Sequence, residues 1–330
     1  MRALRPLVLF AVLALLAAGG WLYWFASQPL ALPRAPYDFT VRTGASVKSL
    51  SRTLAADGLF LEAESFWILA RLLGKEGSIQ AGTYRLEKPV TPMELLDKLA
   101  RGDVMLAEVR FVEGTTLRQW LAQLGREPKL RQTLAGKGDS DVRAILGLGE
   151  QSPEGWLFPD TYRFAPGAAD ADILKRAHAA MKRRLVEAWE ARNPAVPLKS
   201  PYEALILASI VEKETGVAAE RPLIASVFAN RLKRGMRLQT DPTVIYGIGE
   251  KFDGNIRKHD LTTDTPWNTY TRDGLPPTPI AMPGAESLGA VARPAESEFL
   301  YFVGKGDGTH QFSRTLEEHN RGVAKYQLKR

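Results

Sequence analysis

The 330-residue chain contains no cysteine, which excludes disulfides and thiolate metal sites. That absence does not fix the compartment, because a domain facing a cell wall can do without cysteines. Histidine is scarce as well. His178, His259, His310 and His319 show no ligand spacing such as a His-Glu-x-x-His helix, so no metal is expected, and no cofactor either. Low-complexity tracts are missing. Neither sign of charge dominates: the net charge of +7 is mild for this length and spread along the chain. It suits an anionic partner (wall polymer, lipid surface or nucleic acid) without selecting one. What is present is ordinary for a folded protein. The apolar share of 45% supports a sizeable core, and the length suits a membrane segment plus roughly two domains of about 100–200 residues each.

Charge is also absent from Pro6 to Pro33, and Leu7 to Ala26 are nearly all apolar. About 20 such residues span a bilayer core. Arg2 and Arg5 precede the run, which by the positive-inside bias leaves the N-terminus in the cytoplasm and the bulk of the chain outside. A cleaved signal peptide is the rival reading, with Ala17, Ala18, Gly19 and Gly20 as a weak cleavage site. The apolar run continues past them through Trp21, Leu22, Tyr23, Trp24 and Phe25, an interfacial aromatic belt that favours an uncleaved anchor. The expected layout is a cytoplasmic tail over residues 1–5, a transmembrane helix over 6–26 and a linker over 27–36. Three prolines between Gln28 and Pro36 make that linker an extended tether.

Between Tyr37 and Leu124 one pattern recurs three times: short strand, turn, Ser or Thr cap, amphipathic helix. It reads YDFTVRTGASVKSLSRTLAADG, GTYRLEKPVTPMELLDKLARGD and AEVRFVEGTTLRQWLAQLG. Alternation at Phe39 and Val41, or Val109 and Phe111, suits half-buried strands. Gly44 and Gly114 make turns, and Ser46, Thr91 and Thr115 are positioned to cap the helices that follow. Pro92 sits at a tolerated first-turn position. Leu50 and Leu54, or Leu117 and Leu121, supply the i, i+4 stripe. The stretch 37–105 is therefore a small α+β module without an acid–base constellation, suited to packing and spacing. Its first unit also resembles the LysM type of wall-binding module, which implies polysaccharide binding. Arg126 to Gly149 is polar and helix-prone, a helix pair with no assigned role.

The larger domain, 106–330, contains EGWLFPDTYRFAPG, where Trp156, Phe158, Tyr162 and Phe164 surround Pro159 and Asp160. A turn between two aromatic strands would produce this pattern. The rings are core residues, or else Trp156 or Tyr162 offers a stacking face to a sugar. Asp172 to Ala191 is an amphipathic helix whose basic residues form a solvated face. Ser200-Pro201-Tyr202-Glu203 then supplies an N-cap, a first-turn proline and a capping-box glutamate, and Gly216 stops that helix. At 100° per residue, Glu214 projects with Leu207, Ile210 and Val211, while Glu212 points nearly opposite with Leu205. Glu214 is thus desolvated near a helix C-terminus, and both conditions raise a carboxyl pKa towards the range of a general acid. The alternative is a structural ion pair of Glu214 with Arg221 or Arg231; Glu212 reads as solvated or salt-bridged.

A second helix follows over Glu220 to Lys233. GMRLQTDPTVIYG turns at Gly235 into a hairpin-like segment, clustering Gln239, Thr240, Asp241, Thr243 and Tyr246 around Pro242. Such a cluster can line a cleft for sugar hydroxyls, and Asp241 can serve as a second carboxylate. TPWNTYTRDGLPPTPIAMPGAESL is a long loop of the kind that carries function. A β-hairpin with its tip at Gly304 to Gly308 and a C-terminal helix close the chain. Short strands between capped helices, without βαβ periodicity, indicate a mixed α+β fold rather than a parallel sheet.

Together ASIVEKET, ANRLKRGMRLQTDPTVIYG, NTYTRDGLPPTPIAMPG, YFVGKGDGTHQFSRTLEEHN and EGWLFPDTY resemble the endolytic murein transglycosylases, the YceG-like family, from about Phe39 to the C-terminus. The resemblance implies a single-pass inner-membrane lyase with a periplasmic catalytic domain. It would cut nascent peptidoglycan strands between N-acetylmuramic acid and N-acetylglucosamine. It also implies work beside the penicillin-binding proteins and glycan polymerases of elongation or division, and no nucleic-acid partner. The family's essential glutamate, the second in its E-K-E-T run, is Glu214 here. Asn230, Gln239, Asp241 and Tyr246 are the expected substrate contacts. Two readings remain beside it: a two-carboxylate muramidase using Glu214 and Asp241, and a non-enzymatic wall-binding scaffold.

Overall fold

In the computed structural model, residues 4–60 and 62–328 are described; Arg2, part of the positive-inside reading, lies outside the described residues. The chain divides into two compact units, Met1–Ala107 with Arg163–Gly167, and Glu108–Tyr162 with Ala168–Arg330. Helices and strands are interspersed throughout. The sheets among the described residues are two-stranded ribbons, so the architecture is mixed α+β.

The first unit opens with helix α1, Leu4–Ser27, in which Val8–Ser27 is long and apolar enough to cross a membrane. Strands β1 (Tyr37–Val41) and β2 (Gly82–Leu86) pair antiparallel, with Tyr37 opposite Leu86 and Val41 opposite Gly82. Helices α2 (Val47–Ala56), α3 (Ala63–Leu72) and α4 (Pro92–Arg101) belong to the same unit. The alternation that marked Phe39 and Val41 buries both, against Tyr84, Phe66, Leu54, Leu95 and Leu99. Ser46 caps α2, and Thr91 forms a capping box with Glu94 ahead of α4, with Pro92 in the first turn. Residues 28–36 have no regular secondary structure, yet Leu30 is buried in this core and its N–H donates to the Val90 carbonyl at 2.8 Å.

Strand β3 (Ala107–Arg110) pairs with β4 (Thr161–Phe164). Helix α5 (Leu117–Gly125) is capped by Thr116 rather than by Thr115. The Thr115 hydroxyl is otherwise engaged, donating to the Val112 carbonyl at 2.6 Å and accepting from the Trp120 indole at 2.9 Å. The expected helix pair over 126–149 is a single helix, α6 (Asp139–Leu146). The residues before it are pinned as a loop by the buried Asp170, which accepts from the Thr133 and Leu134 amides at 2.9 and 3.1 Å. Of the two aromatic strands expected around Pro159, only β4 forms. The segment before the turn is held irregularly: Phe158 N–H donates to Ala177 and the Tyr162 hydroxyl to Phe158, at 3.1 and 2.6 Å.

Helix α7 (Asp170–Glu190) precedes α8 (Pro201–Glu214), which is followed by a 3₁₀ turn at Ala218–Glu220 and α9 (Arg221–Lys233). Helix α8 is the core of the second unit, with every residue from Ala204 to Val211 buried. Gly235, at φ 64°, makes the expected turn. The segment beyond is helical rather than hairpin-like, forming α10 (Asp241–Ile248) with Pro242 in its first turn. Asp-Pro is a helix-start signal: proline presets φ and gives up an amide that is orphaned there anyway, while aspartate complements the helix dipole. Helices α11 (Lys258–Thr262) and α12 (Ala285–Ala292), the antiparallel hairpin β5 (Tyr301–Gly304) with β6 (His310–Ser313), and α13 (Leu316–Tyr326) complete the unit. Helix α8 packs against α7, α9, α10 and α12, so its last turn is held from several sides.

Candidate active site

Helix α8 starts at Ser200, whose hydroxyl accepts from the Glu203 amide at 3.2 Å, and ends at Glu214. Its buried middle is tied to the 275–284 loop through Ser209, whose hydroxyl donates to Ile206 at 2.7 Å and accepts the Ile280 amide at 3.0 Å. The two glutamates at its end have different surroundings. Glu212 accepts the Gly284 amide at 2.8 Å and the Arg221 guanidinium at 3.2 Å, and its side chain is only 5% exposed. Arg221 also pairs with Glu286. Glu212 therefore helps lock α8 to the loop before α12.

Glu214 opens onto a cleft of about 420 Å³ lined by Arg231, Gln239, Asp241, Tyr270, Tyr301 and His310, among others. Its carboxylate accepts a hydrogen bond from the Thr240 hydroxyl. Among the described residues neither Arg221 nor Arg231 forms an ion pair with it. Burial pushes its pKa up from 4.5 to about 7; the Thr240 hydroxyl and the Arg231 charge oppose the shift, and Asp241 adds to it. The negative end of α8 acts in the same upward direction.

A lattice of threonines holds the floor beneath it. The Thr240 amide donates to Thr269 Oγ1 at 3.1 Å, Thr243 Oγ1 donates to the Thr240 carbonyl at 2.7 Å, and the Thr243 and Thr269 hydroxyls lie 2.9 Å apart. Gln239 sits at φ 48°, a left-handed conformation costing a non-glycine residue roughly 1–2 kcal/mol. Its amide donates to the Thr269 carbonyl at 3.2 Å. The Tyr270 hydroxyl donates to Asp241 at 2.6 Å, and burial together with that bond raises the tyrosine pKa. Arg231 is buried and spends its donors on backbone, reaching the carbonyls of Leu300 and Leu238 at 2.7 Å each. It lies over the Tyr301 ring at 5.2 Å.

Three expected site residues, Glu214, Gln239 and Asp241, thus share one cleft. Asn230 and Tyr246 are placed elsewhere. The Asn230 amide donates to the Ser297 and Phe299 carbonyls at 2.8 and 3.1 Å, in a separate depression. The Tyr246 hydroxyl faces Glu154 at 3.3 Å. Glu154 is itself buried, accepts the Leu117 amide at the start of α5, and is pushed by burial to a pKa of about 7. The rings considered for sugar stacking pack inward: Trp156 stacks on Tyr202 at 6.0 Å, and Tyr162 is buried.

The far wall of the cleft was not foreseen. It comes from β5, β6 and α13, which bring in Tyr301, His310 and His319. His310 Nδ1 lies 2.7 Å from Glu220, which also accepts the His310 amide at 3.0 Å. His319 stacks on Tyr301, and burial lowers its pKa. The available signal was the pair of histidines that follow the Gly-rich tip, His310 opening β6 and His319 in α13, whose spacing suits no metal.

The cleft belongs to a chain whose residues 39–325 match the model of the YceG-like family. The protein is 33% identical over 307 residues to an endolytic murein transglycosylase of Bacillus subtilis, covering 88% of this chain and 84% of that one. It is 28% identical over 358 residues to an endolytic murein transglycosylase of Streptococcus pneumoniae, spanning 63% of that longer protein. A crystal structure of a YceG-like protein of Listeria monocytogenes superposes with a TM-score of 0.58 at 29% identity, covering 87% of this chain and 98% of the other. This chain belongs to the YceG-like family.

Proposed function

We propose that this protein is an endolytic lytic transglycosylase. It cleaves peptidoglycan glycan strands between N-acetylmuramic acid and N-acetylglucosamine and leaves 1,6-anhydro ends that terminate the strand. The observation carrying this reading is Glu214, a carboxyl with a pKa of about 7 on the floor of a polar cleft, in no ion pair among the described residues. The names of the relatives supply the substrate class.

Glu214 enters the reaction protonated and gives its proton to the glycosidic oxygen as the bond from muramyl C1 breaks. The leaving sugar departs with a free 4-hydroxyl. The Glu214 carboxylate then takes the proton of the muramyl C6 hydroxyl, whose oxygen bonds to C1 and closes the anhydro ring. The acid is regenerated and no water is consumed, so a second carboxylate at glycosidase spacing is not required. Gln239 and Asp241 are the proposed sugar contacts within the cleft.

Asp241 sustains a second reading, a hydrolytic muramidase, because it lines the same cleft. In that case it would activate water and leave a reducing muramic acid. Mass analysis of cleaved strands separates the two, since the products differ by one water. Glu214→Gln is expected to abolish cleavage while the protein stays folded; retained cleavage would remove Glu214 from its role. A wild-type protein that binds strands and never shortens them would favour a wall-binding scaffold.

The proposed location is the inner membrane, with α1 as a single-pass anchor and the second unit periplasmic. The length and apolarity of α1 support this. There the enzyme would meet strands as glycan polymerases and penicillin-binding proteins extend them, and those proteins are its proposed partners. The module over 37–105 remains a proposed LysM-like spacer or wall-binding element.

A further inference from the structure

Helix α1 does not end before the first unit begins. Leu22 and Phe25 pack against that unit's core, Ala26 and Leu30 are buried in it, and the rings of Phe25, Phe60 and Phe66 follow one another at 6.2 and 4.9 Å. A hydrocarbon layer about 30 Å thick takes about 20 residues of helix at ~1.5 Å each. Counted from Pro6, the first residue after the last N-terminal charge, the layer extends to about Phe25. The turn gripped by the folded unit therefore lies at the hydrocarbon edge, and the unit must meet the headgroups.

Helix α3 packs beside α1 in the same unit. Its inner face, Phe66, Leu69 and Ala70, is buried, but past the exposed Glu64 of its first turn the outer face is also apolar: Ile68 is 39% exposed, Leu72 69%, and the following Leu73 41%. Ile68 and Leu72 are one helical turn apart and form a single ridge. The exposed Arg71 stands beside it, over the Trp67 ring at 5.6 Å. On α1 itself Trp21, Tyr23 and Trp24 are exposed near the same end. An apolar ridge edged by cation and aromatic rings is the composition of an interfacial membrane contact.

We propose that the Ile68–Leu72–Leu73 ridge of α3 rests in the headgroup layer of the membrane that α1 crosses, with Arg71 contributing affinity for anionic phospholipid. This rests on the anchoring role proposed for α1. The first unit is then a platform seated on the bilayer, so the anchor does not let it swing freely.

The absence of cysteine allows a direct test on the full-length protein. Leu72→Cys, Leu15→Cys and Arg101→Cys each carry an environment-sensitive fluorophore in nanodiscs of phosphatidylcholine and phosphatidylglycerol, with brominated lipid as quencher. Leu15 lies within the span, and Arg101 lies at the end of α4 away from the Leu30–Val90 bond. The label at Leu72 is expected to be quenched to an extent comparable with Leu15, and the label at Arg101 to stay bright. Removing phosphatidylglycerol is expected to weaken quenching at Leu72 alone. Quenching at Leu15 with none at Leu72 would overturn the docking and leave the anchor standing. No quenching at Leu15 would overturn both. A Leu72 label shielded from aqueous iodide yet untouched by brominated lipid would show that protein, a second copy or a partner, covers the ridge instead.

Discussion

The catalytic proposal makes a demand on Glu214 that can be worked through as a titration. A general acid must be protonated when substrate is bound. At pH 7 a carboxyl of pKa about 7 is roughly half protonated, whereas one at the ordinary 4.5 is protonated only about once in 300 molecules. The cleft thus supplies a factor of roughly 150 in active enzyme near neutrality. The rate is expected to hold below pH 7 and to fall about tenfold for each unit above it. Two substitutions should move that limb in opposite directions. Thr240→Val removes the hydroxyl that bonds the ionised form, so the pKa rises and the limb moves to higher pH. A hydrogen bond to a charged group is worth about 1.5–3 kcal/mol. At ~1.36 kcal/mol per pKa unit, that sets a displacement of about one to two units.

Asp241→Asn removes a negative neighbour, so the limb moves to lower pH, and by less, because Asp241 perturbs Glu214 less than Thr240 does. The measurement is release of anhydromuramyl ends from strands of defined length between about pH 5 and about pH 9, read by mass spectrometry. An unmoved limb in Thr240→Val, or one displaced to lower pH, would mean that Glu214 is not the titrating acid. Wild-type products that carry a reducing muramic acid in place of the anhydro end would refute the lyase and favour the hydrolase in which Asp241 activates water.

The other predictions concern the scaffold. Glu154 has its folded pKa raised from 4.5 to about 7, so its contribution to stability is complete below about pH 4.5 and is lost as pH rises through about 7. Glu154→Gln is expected to remove that loss, of the order of 3 kcal/mol at ~1.36 per unit, and to flatten the dependence of urea midpoint on pH above about 4.5. Arg231→Met leaves the buried Leu238 and Leu300 carbonyls without their donor, at about 1–3 kcal/mol each. Equilibrium unfolding should show that cost, and the alkaline limb of activity should rise because a cation near Glu214 is gone. Gln239→Gly relieves the left-handed backbone and is expected to raise stability by up to about 1 kcal/mol, while cleavage weakens because the amide no longer reaches the sugar. Unchanged cleavage would remove Gln239 from the substrate contacts.

Much of the local structure is legible in the sequence because capping is local chemistry. Ser46, Thr91-Pro92-x-Glu94 and Ser200-Pro201 each begin the helix their pattern predicts. Asp241-Pro242 begins α10 by the same rule, and the helix it starts decides where Tyr246 points. Nearness along the chain placed it with Gln239 and Asp241, but a turn of helix carries its ring round to Glu154. Asn230 is turned away on α9 in the same manner, towards carbonyls of the segment before β5. The wall bearing Tyr301, His310 and His319 depends on where a hairpin and a terminal helix come to rest, and no periodicity records that.

The two glutamates of α8 show most clearly what periodicity can and cannot assign. Helical phase sets Glu214 on the apolar face and Glu212 opposite, as though burial alone distinguished an acid from a bystander. In the folded chain α8 is enclosed on all sides, and the Glu212 side chain is as well shielded as a core residue. Both side chains are shielded from water, so burial alone cannot separate them. What separates them is company. Glu212 has a guanidinium and a backbone amide, and it serves to fasten α8 to the α12 side. Glu214 has one hydroxyl donor, a neighbouring carboxylate and an arginine already committed to backbone carbonyls. A buried carboxyl given a cation becomes a structural tie. Denied one, beside a cleft wide enough for a sugar, it holds its proton at neutral pH and has somewhere to deliver it.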